Sequence, residues 1–181
     1  MNKFLIGVLV VFSILSVSVF GAVVGINNNC IQYEESVKAQ YKQNQNNYDN
    51  YFKKVKEVAQ IPDMYIEGLK EVYDKAMTGR YGADGSKAMF QWIQEQNPQV
   101  DASVYKQIQQ VMESGRNDFE SNQKMLIDKK RAYEVFYKEF PNSFVVGFLG
   151  FPKIDLNKYD IVTSEETENI FNSKKSEYIK I

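Results

Sequence analysis

The chain has 181 residues, with 22 basic and 23 acidic side chains, no His and one Cys. One Cys forbids an intrachain disulfide. The lack of His removes Cys₂His₂ and His₃ zinc sets, Ser-His-Asp and Cys-His nucleophiles and imidazole acid–base chemistry. A net charge of −1 supplies no basic field for DNA or RNA, so no nucleic-acid partner is expected.

The mean hydropathy is negative although 44% of the residues are apolar, which points to hydrophobicity gathered in one place. From Phe4 to Ile26 there is no charged residue, and only Gly7, Ser13, Ser16, Ser18, Gly21 and Gly25 interrupt the apolar run. A helix rises about 1.5 Å per residue and the hydrocarbon core is about 30 Å thick, so roughly 20 such residues suffice to cross it. Residues 1–26 are therefore expected to form a retained anchor, with the lipid bilayer as partner through residues 4–26. The competing reading is a signal peptide. Lys3 gives a basic start, and Val19-Phe20-Gly21 offers small residues for cleavage after Gly21. Against it, the run continues through Val23, Val24 and Ile26. Cys30 follows three Asn rather than small apolar residues, which suits a packed filler at the membrane edge better than a lipidated position. Lys3 on one side nearly balances Lys38 and Lys42 on the other, so the positive-inside rule gives no sidedness. Gly21 and Gly25 stand at G-x-x-x-G spacing, which leaves a homo-oligomer open.

Beyond residue 26, Ile26, Cys30, Tyr33, Val37, Tyr41, Tyr48, Tyr51, Val55 and Val58 fall on steps of three and four, with Asn44 the polar exception. No Gly or Pro interrupts up to Ile61, which predicts one helix running out of the anchor. Pro62 ends it and suits the first turn of a second helix, with Ile66, Leu69, Tyr73, Ala76 and Met77 on one face. Residues 78–85 read as a loop with three Gly. Ser86 is placed to cap a short helix carrying Met89, Trp92 and Ile93, closed by Asn97-Pro98. Asp101 then opens the second long helix. Val104, Ile108, Val111, Gly115, Phe119, Asn122, Leu126, Lys129, Tyr133, Phe136 and Phe140 form its seam, and Pro141 ends it. The fold class is all-α: an N-terminal transmembrane helix continuous with a long helix, two short helices and a second long helix, packed as an antiparallel coiled-coil-like bundle.

Residues 142–152 form a second apolar stretch, too short to cross a bilayer. It is expected to fold back as a tail covering one end of the bundle. A contact with a partner or a membrane surface is the alternative, because an exposed Phe-rich patch would otherwise be a liability. Thr163 and Glu166 fit a capping box for a short helix through Phe171, and Lys174 to Ile181 read as a loose end. The expected organisation is an anchor over 1–26, a helical bundle over 27–152 and a polar tail over 153–181.

Chemistry is sparse. The Gly-rich loop lacks the G-x-x-x-x-G-K-[ST] order, and Asp84-Gly85 lacks the alternating oxygen ligands of a calcium loop. Glu34/Glu35 and Glu165/Glu166 are adjacent pairs that point about 100° apart on a helix, which suits solvated faces rather than a shared reacting atom. A ferritin-like di-iron site needs His. No cofactor, metal or catalytic residue is expected, and the chain reads as a non-enzyme. Carboxylates and Tyr acting alone are the only enzymatic equipment left.

Several stretches together resemble the LemA family of bacterial membrane proteins and a LemA-like subgroup of bacteria and phages. They are Asn29 with Glu34-Glu35, Tyr81-Gly82-Ala83-Asp84-Gly85-Ser86, Arg116-Asn117-Asp118-Phe119-Glu120 and Asp128-Lys129-Lys130-Arg131-Ala132-Tyr133-Glu134. Further along are Phe140-Pro141-Asn142, Gly147-Phe148-Leu149-Gly150-Phe151-Pro152 and Val162-Thr163-Ser164-Glu165-Glu166-Thr167. Tyr41 stands where the family usually has Trp, and residues 48–55 replace its Arg-rich stretch. The resemblance implies an all-α fold, a retained anchor, a cytoplasmic soluble part and no catalytic residues. The expected role is a membrane-anchored helical interaction or scaffold protein with an unidentified protein partner; the alternative is a secreted or periplasmic binding domain released after Gly21. The candidate contact residues are Arg80, Tyr81 and Asp84 in the loop and Phe140, Pro141, Phe144, Phe148 and Phe151 in the apolar patch.

Overall fold

A computed structural model describes residues 3–78, 84–163 and 171–173 of the chain. Among these residues the protein is helical throughout, without a strand. Helix α1, Lys3–Ala59, is continuous from the apolar run into the polar part. The serines inside the run do not break it: Ser13, Ser16 and Ser18 each donate Oγ–H to the carbonyl four residues back at 2.9 Å, to Leu9, Phe12 and Ile14. Each hydroxyl is thus satisfied within the helix, as an apolar solvent would demand. The helix stops where Gln60 takes a left-handed φ of 49° ahead of Ile61-Pro62.

A 3₁₀ turn, Asp63–Tyr65, leads into α2, Ile66–Met77; α3, Gly85–Gln96; α4, Ala102–Lys138; and α5, Asn142–Leu149. A last 3₁₀ turn, Leu156–Tyr159, comes after Asp155, whose carboxylate accepts from the Asn157 N–H at 3.1 Å. Asp101 opens α4 as expected and accepts from the Ser103 N–H at 2.9 Å. Helix α3 starts two residues earlier than a Ser86 cap would place it. Asp84 occupies the N-cap position without a side-chain cap bond, and Gly85 is its first residue. A Cβ at Gly85 would sit 3.2 Å from both the Cβ and the carbonyl of Ala76, so the close approach of α2 to α3 selects glycine there.

The chain divides into two compact units. One, residues 41–125 with 160–181, holds the main core: Val55, Ala59, Ile61, Leu69, Tyr73, Ala76, Met77, Met89, Ile93, Ile108 and Met112, all buried. Its α1–α4 pairs run in opposite senses. Asn44 Nδ2 donates to the Asn122 carbonyl at 3.1 Å, and Tyr51 O–H to Asp118 Oδ2 at 2.5 Å. Asn44, the polar break in the seam, therefore has a partner across it. Tyr48 donates to Asp74 at 2.7 Å, and the Tyr73 hydroxyl donates to the Tyr48 carbonyl at 3.1 Å.

The other unit, residues 1–40 with 126–159, packs Ile26, Cys30, Val37, Leu126, Tyr133, Tyr137 and Val146 inward. Here too the pairs run oppositely: the Tyr33 and Phe136 rings lie 4.9 Å apart, and Tyr137, further along α4, bonds to Cys30, further back along α1. The seam predicted for α4 needs correcting at four positions. Lys129 and Phe140 are exposed, whereas Met112 and Tyr137 are buried. A straight helix drifts about 20° per heptad from a strict 3.5-residue repeat, so a seam extrapolated over ten turns rotates off its face.

Candidate functional site

The apolar patch is built by the end of α4, the turn at Phe140-Pro141 and α5. Helix α4 runs out at Lys138, Phe140-Pro141 is a cis peptide, and Pro141 stands at the N-cap of α5. Gly150 closes α5 in the left-handed conformation (φ 66°), where a side chain would be strained, and the Phe151 N–H returns to the Val146 carbonyl at 3.1 Å. Asn142 Nδ2 donates back to the Phe136 carbonyl at 3.2 Å, tying the turn to α4.

Beyond α5 the chain comes back along α4 and is held by two tyrosines. The Ile154 N–H donates to the Tyr133 hydroxyl at 3.0 Å. The Tyr137 hydroxyl lies 3.2 Å from Glu34 Oε1 and 3.3 Å from the Pro152 carbonyl, so it serves both α1 and the returning tail. The two rings are 4.4 Å apart, and Lys153 Nζ stands 5.3 Å over the Tyr137 ring. Burial, with hydrogen bonds to Cys30 and Tyr133, pushes the Tyr137 phenol far above its ordinary range. Burial raises Tyr133 as well, partly opposed by its bonds to Tyr137 and Ile154. Both phenols stay protonated near neutrality, and their hydrogen bonds tie α1, α4 and the returning tail together.

The tail therefore folds back as expected, but the phenylalanines do not go with it. Phe140 is 85% exposed, Phe144 66% and Phe148 80%, while Val146 is the buried residue of α5. Phe144 and Phe148, one turn apart, stack on each other at 6.1 Å with an interplanar angle of 8°. Pro141 is exposed and Phe151 half-buried. The periodicity of so short a run could not separate the anchoring Val146 from the outward aromatic face.

Of the loop candidates, Arg80 and Tyr81 lie outside the described residues, as do Glu166 and the chain end from Lys174. Asp84 is exposed at the start of α3. In the same unit an open groove of about 630 Å³ runs along α4, lined by Met77, Thr78, Glu113, Arg116, Asn117, Phe119, Glu120 and Gln123. Sequence reasoning missed it. The signal was the spacing of Arg116, Phe119, Glu120 and Gln123, which puts mixed charge and an aromatic ring on one face of the helix. Glu120 is held below the usual carboxylate range by its hydrogen bond and charge pairing with Lys124. Among the described residues no three His, Cys, Asp or Glu side chains gather where they could hold a metal ion.

In the apolar part of α1, the run that is long and apolar enough to cross a membrane has none of its residues buried against the rest of the chain. Nothing lies within 4 Å of where a Cβ would stand at Gly7, Gly21 or Gly25. No protein-family model matches the chain, and neither a curated protein nor a solved structure shows significant similarity to it.

Proposed function

We propose that this is a single-pass, membrane-anchored helical interaction protein without catalytic chemistry, whose α1 crosses the bilayer over residues 4–26 and continues into an antiparallel bundle with α4. The observation that carries the reading is the contrast along one uninterrupted helix. From Phe4 to Ala22 every residue of α1 is exposed, whereas Val37, Val55 and Ala59 further on are fully buried. An exposed apolar surface of that length is stable only in a solvent as apolar as itself. The motif resemblance to LemA proteins supports the same architecture and a cytoplasmic soluble part. Tethering raises the local concentration of the helical part at the membrane, so a partner is met by a search confined to the surface. The contact surfaces this reading offers are the residues around Asp84 and the aromatic face of α5.

Alkaline carbonate extraction combined with N-terminal sequencing of the expressed full chain tests this. Retention in the membrane pellet with an intact N-terminus is expected. A mature terminus at Ala22 with release into the supernatant would replace the anchored reading by a secreted helical binding domain.

A further inference from the structure

We propose that α5 is a second membrane contact: its exposed phenylalanines enter the headgroup–acyl boundary of the same bilayer that α1 crosses. The inference rests on the anchored reading of residues 4–26 and adds a surface to it. Register supplies the position. Within this unit Tyr33 meets Phe136, while Tyr137, further along α4, also bonds to Cys30, three residues further back along α1. Each further residue of α4 therefore steps back along α1 toward the anchor, and Phe140 falls level with about residue 30. That is about 6 Å, one helical turn, from Ile26 at the end of the apolar run. The polar zone of a bilayer adds roughly 5–8 Å on each side of the hydrocarbon, so a helix leaving α4 here begins inside that zone.

Composition and packing agree with this position. From Phe140 to Pro152 the chain carries no charge; Lys138, paired with Glu134, and Glu139 precede it, and Lys153 follows it. The apolar face of Phe140, Phe144, Phe148 and Leu149 points away from the protein. An uncharged run whose aromatic rings share one exposed face, with Lys153 at its rim, is the composition of a helix lying in the interface. The face is also preorganised. Val146 packs inward, Gly150 caps the helix, and Tyr133 and Tyr137 hold the chain beyond it. Little conformational freedom is left to lose when the rings enter lipid, so insertion gains from each ring without an ordering penalty.

The test uses the full chain in phosphatidylcholine/phosphatidylglycerol vesicles containing nitroxide-labelled lipids. Trp92 is kept as an internal reference and its wild-type signal subtracted. With F148W, the introduced indole should emit to the blue, be shielded from aqueous iodide, and be quenched about twofold more by a nitroxide near the headgroup than by one at the bilayer centre. With F12W, the indole in the anchor should show the opposite depth preference. If F148W is quenched by iodide and ignores the lipid probes while F12W reports the bilayer centre, the anchor stands and the α5 proposal falls. If F148W is shielded from both, protein covers the face and the proposal also falls. If F12W itself fails to sense lipid, the anchored reading falls first.

Discussion

In residues 41–125 the large apolar side chains turn inward. Leu69, Tyr73, Met89, Ile93, Ile108 and Met112 have almost no exposed surface, and among the described large hydrophobics of that stretch only Met64 and Met125 face out. In residues 3–40 and 126–159 the same residue types turn outward, from Phe4 to Val24 along α1 and again at Phe140, Phe144, Phe148 and Leu149. The inward residues of that second unit are few, and hydroxyls help to hold them, through Tyr133 and Tyr137. One unit is assembled by water's exclusion of its own side chains. The other leaves apolar surface that the rest of the chain does not cover, and uses hydrogen bonds to fix its shape.

Substitutions in the inward unit should therefore carry the largest effects. Leu69→Ala removes a fully buried side chain from the centre of the core and should destabilise the chain by about 2–5 kcal/mol, read as a shift of the urea midpoint in detergent. Gly115→Val comes next. A Cβ at Gly115 would lie 3.0 Å from the Tyr51 ring and 3.4 Å from Met77, and that ring is held by its own bond to Asp118. Overpacking should cost about 1–3 kcal/mol, more than the helix propensity gained by replacing glycine. A neutral result at either position would show that this core is looser than its burial implies.

The long-range pattern was legible in the sequence because it is repetitive. The uncharged run from Phe4 to Ile26, the three-four steps through Val37 and Val55, and the stops at Pro62, Pro98 and Pro141 specify helices and their ends by physics that acts within a few residues. The structure departs from that reading where a side chain's fate depends on what packs beside it. Phe140 continues the step pattern yet faces out, because the helix has already ended at Lys138. Tyr137 lies off the predicted seam yet is buried, because the returning tail at Pro152 covers it. The groove along α4 was invisible for the same reason: its lining comes from α4 together with Met77 and Thr78 of the α2 end.

Alkaline pH distinguishes how the tyrosines of the inward unit are held. Burial, with the hydrogen bond and charge of Asp74, raises Tyr48 well above its usual value near 10, and burial with the Asp74 charge raises Tyr73. A phenol whose folded value is raised keeps its proton longer in the native state. Stability is thus fully present below the unfolded value and falls as pH climbs above about 10, by about 1.4 kcal/mol per pH unit for each such group. Tyr48→Phe should remove one of these contributions and flatten the decline. An unchanged slope would mean that Tyr48 opens to solvent before it ionises. A similar but smaller effect is expected from the clamp in the other unit. Tyr137→Phe loses the bonds to Glu34 and Pro152 and should cost about 0.5–1.5 kcal/mol. Faster trypsin cleavage after Lys153 would place that loss in the tail; cleavage at the wild-type rate would mean Tyr133 holds the tail alone.

Smallest of all should be Phe144→Ser on the outward face. Its ring stacks on Phe148 and most of its surface is exposed, so little apolar contact is lost on replacement. The chain's stability in detergent should move by no more than about 0.5 kcal/mol, as for surface positions without special features. The size of that effect separates two explanations of an exposed phenylalanine. A cost of about 2 kcal/mol or more would mean the ring is buried in the folded protein, and the contrast between the units would dissolve. A negligible cost means that folding does not use this ring. Its apolar surface is then available to something outside the chain, which is the condition the proposed lipid contact of α5 requires.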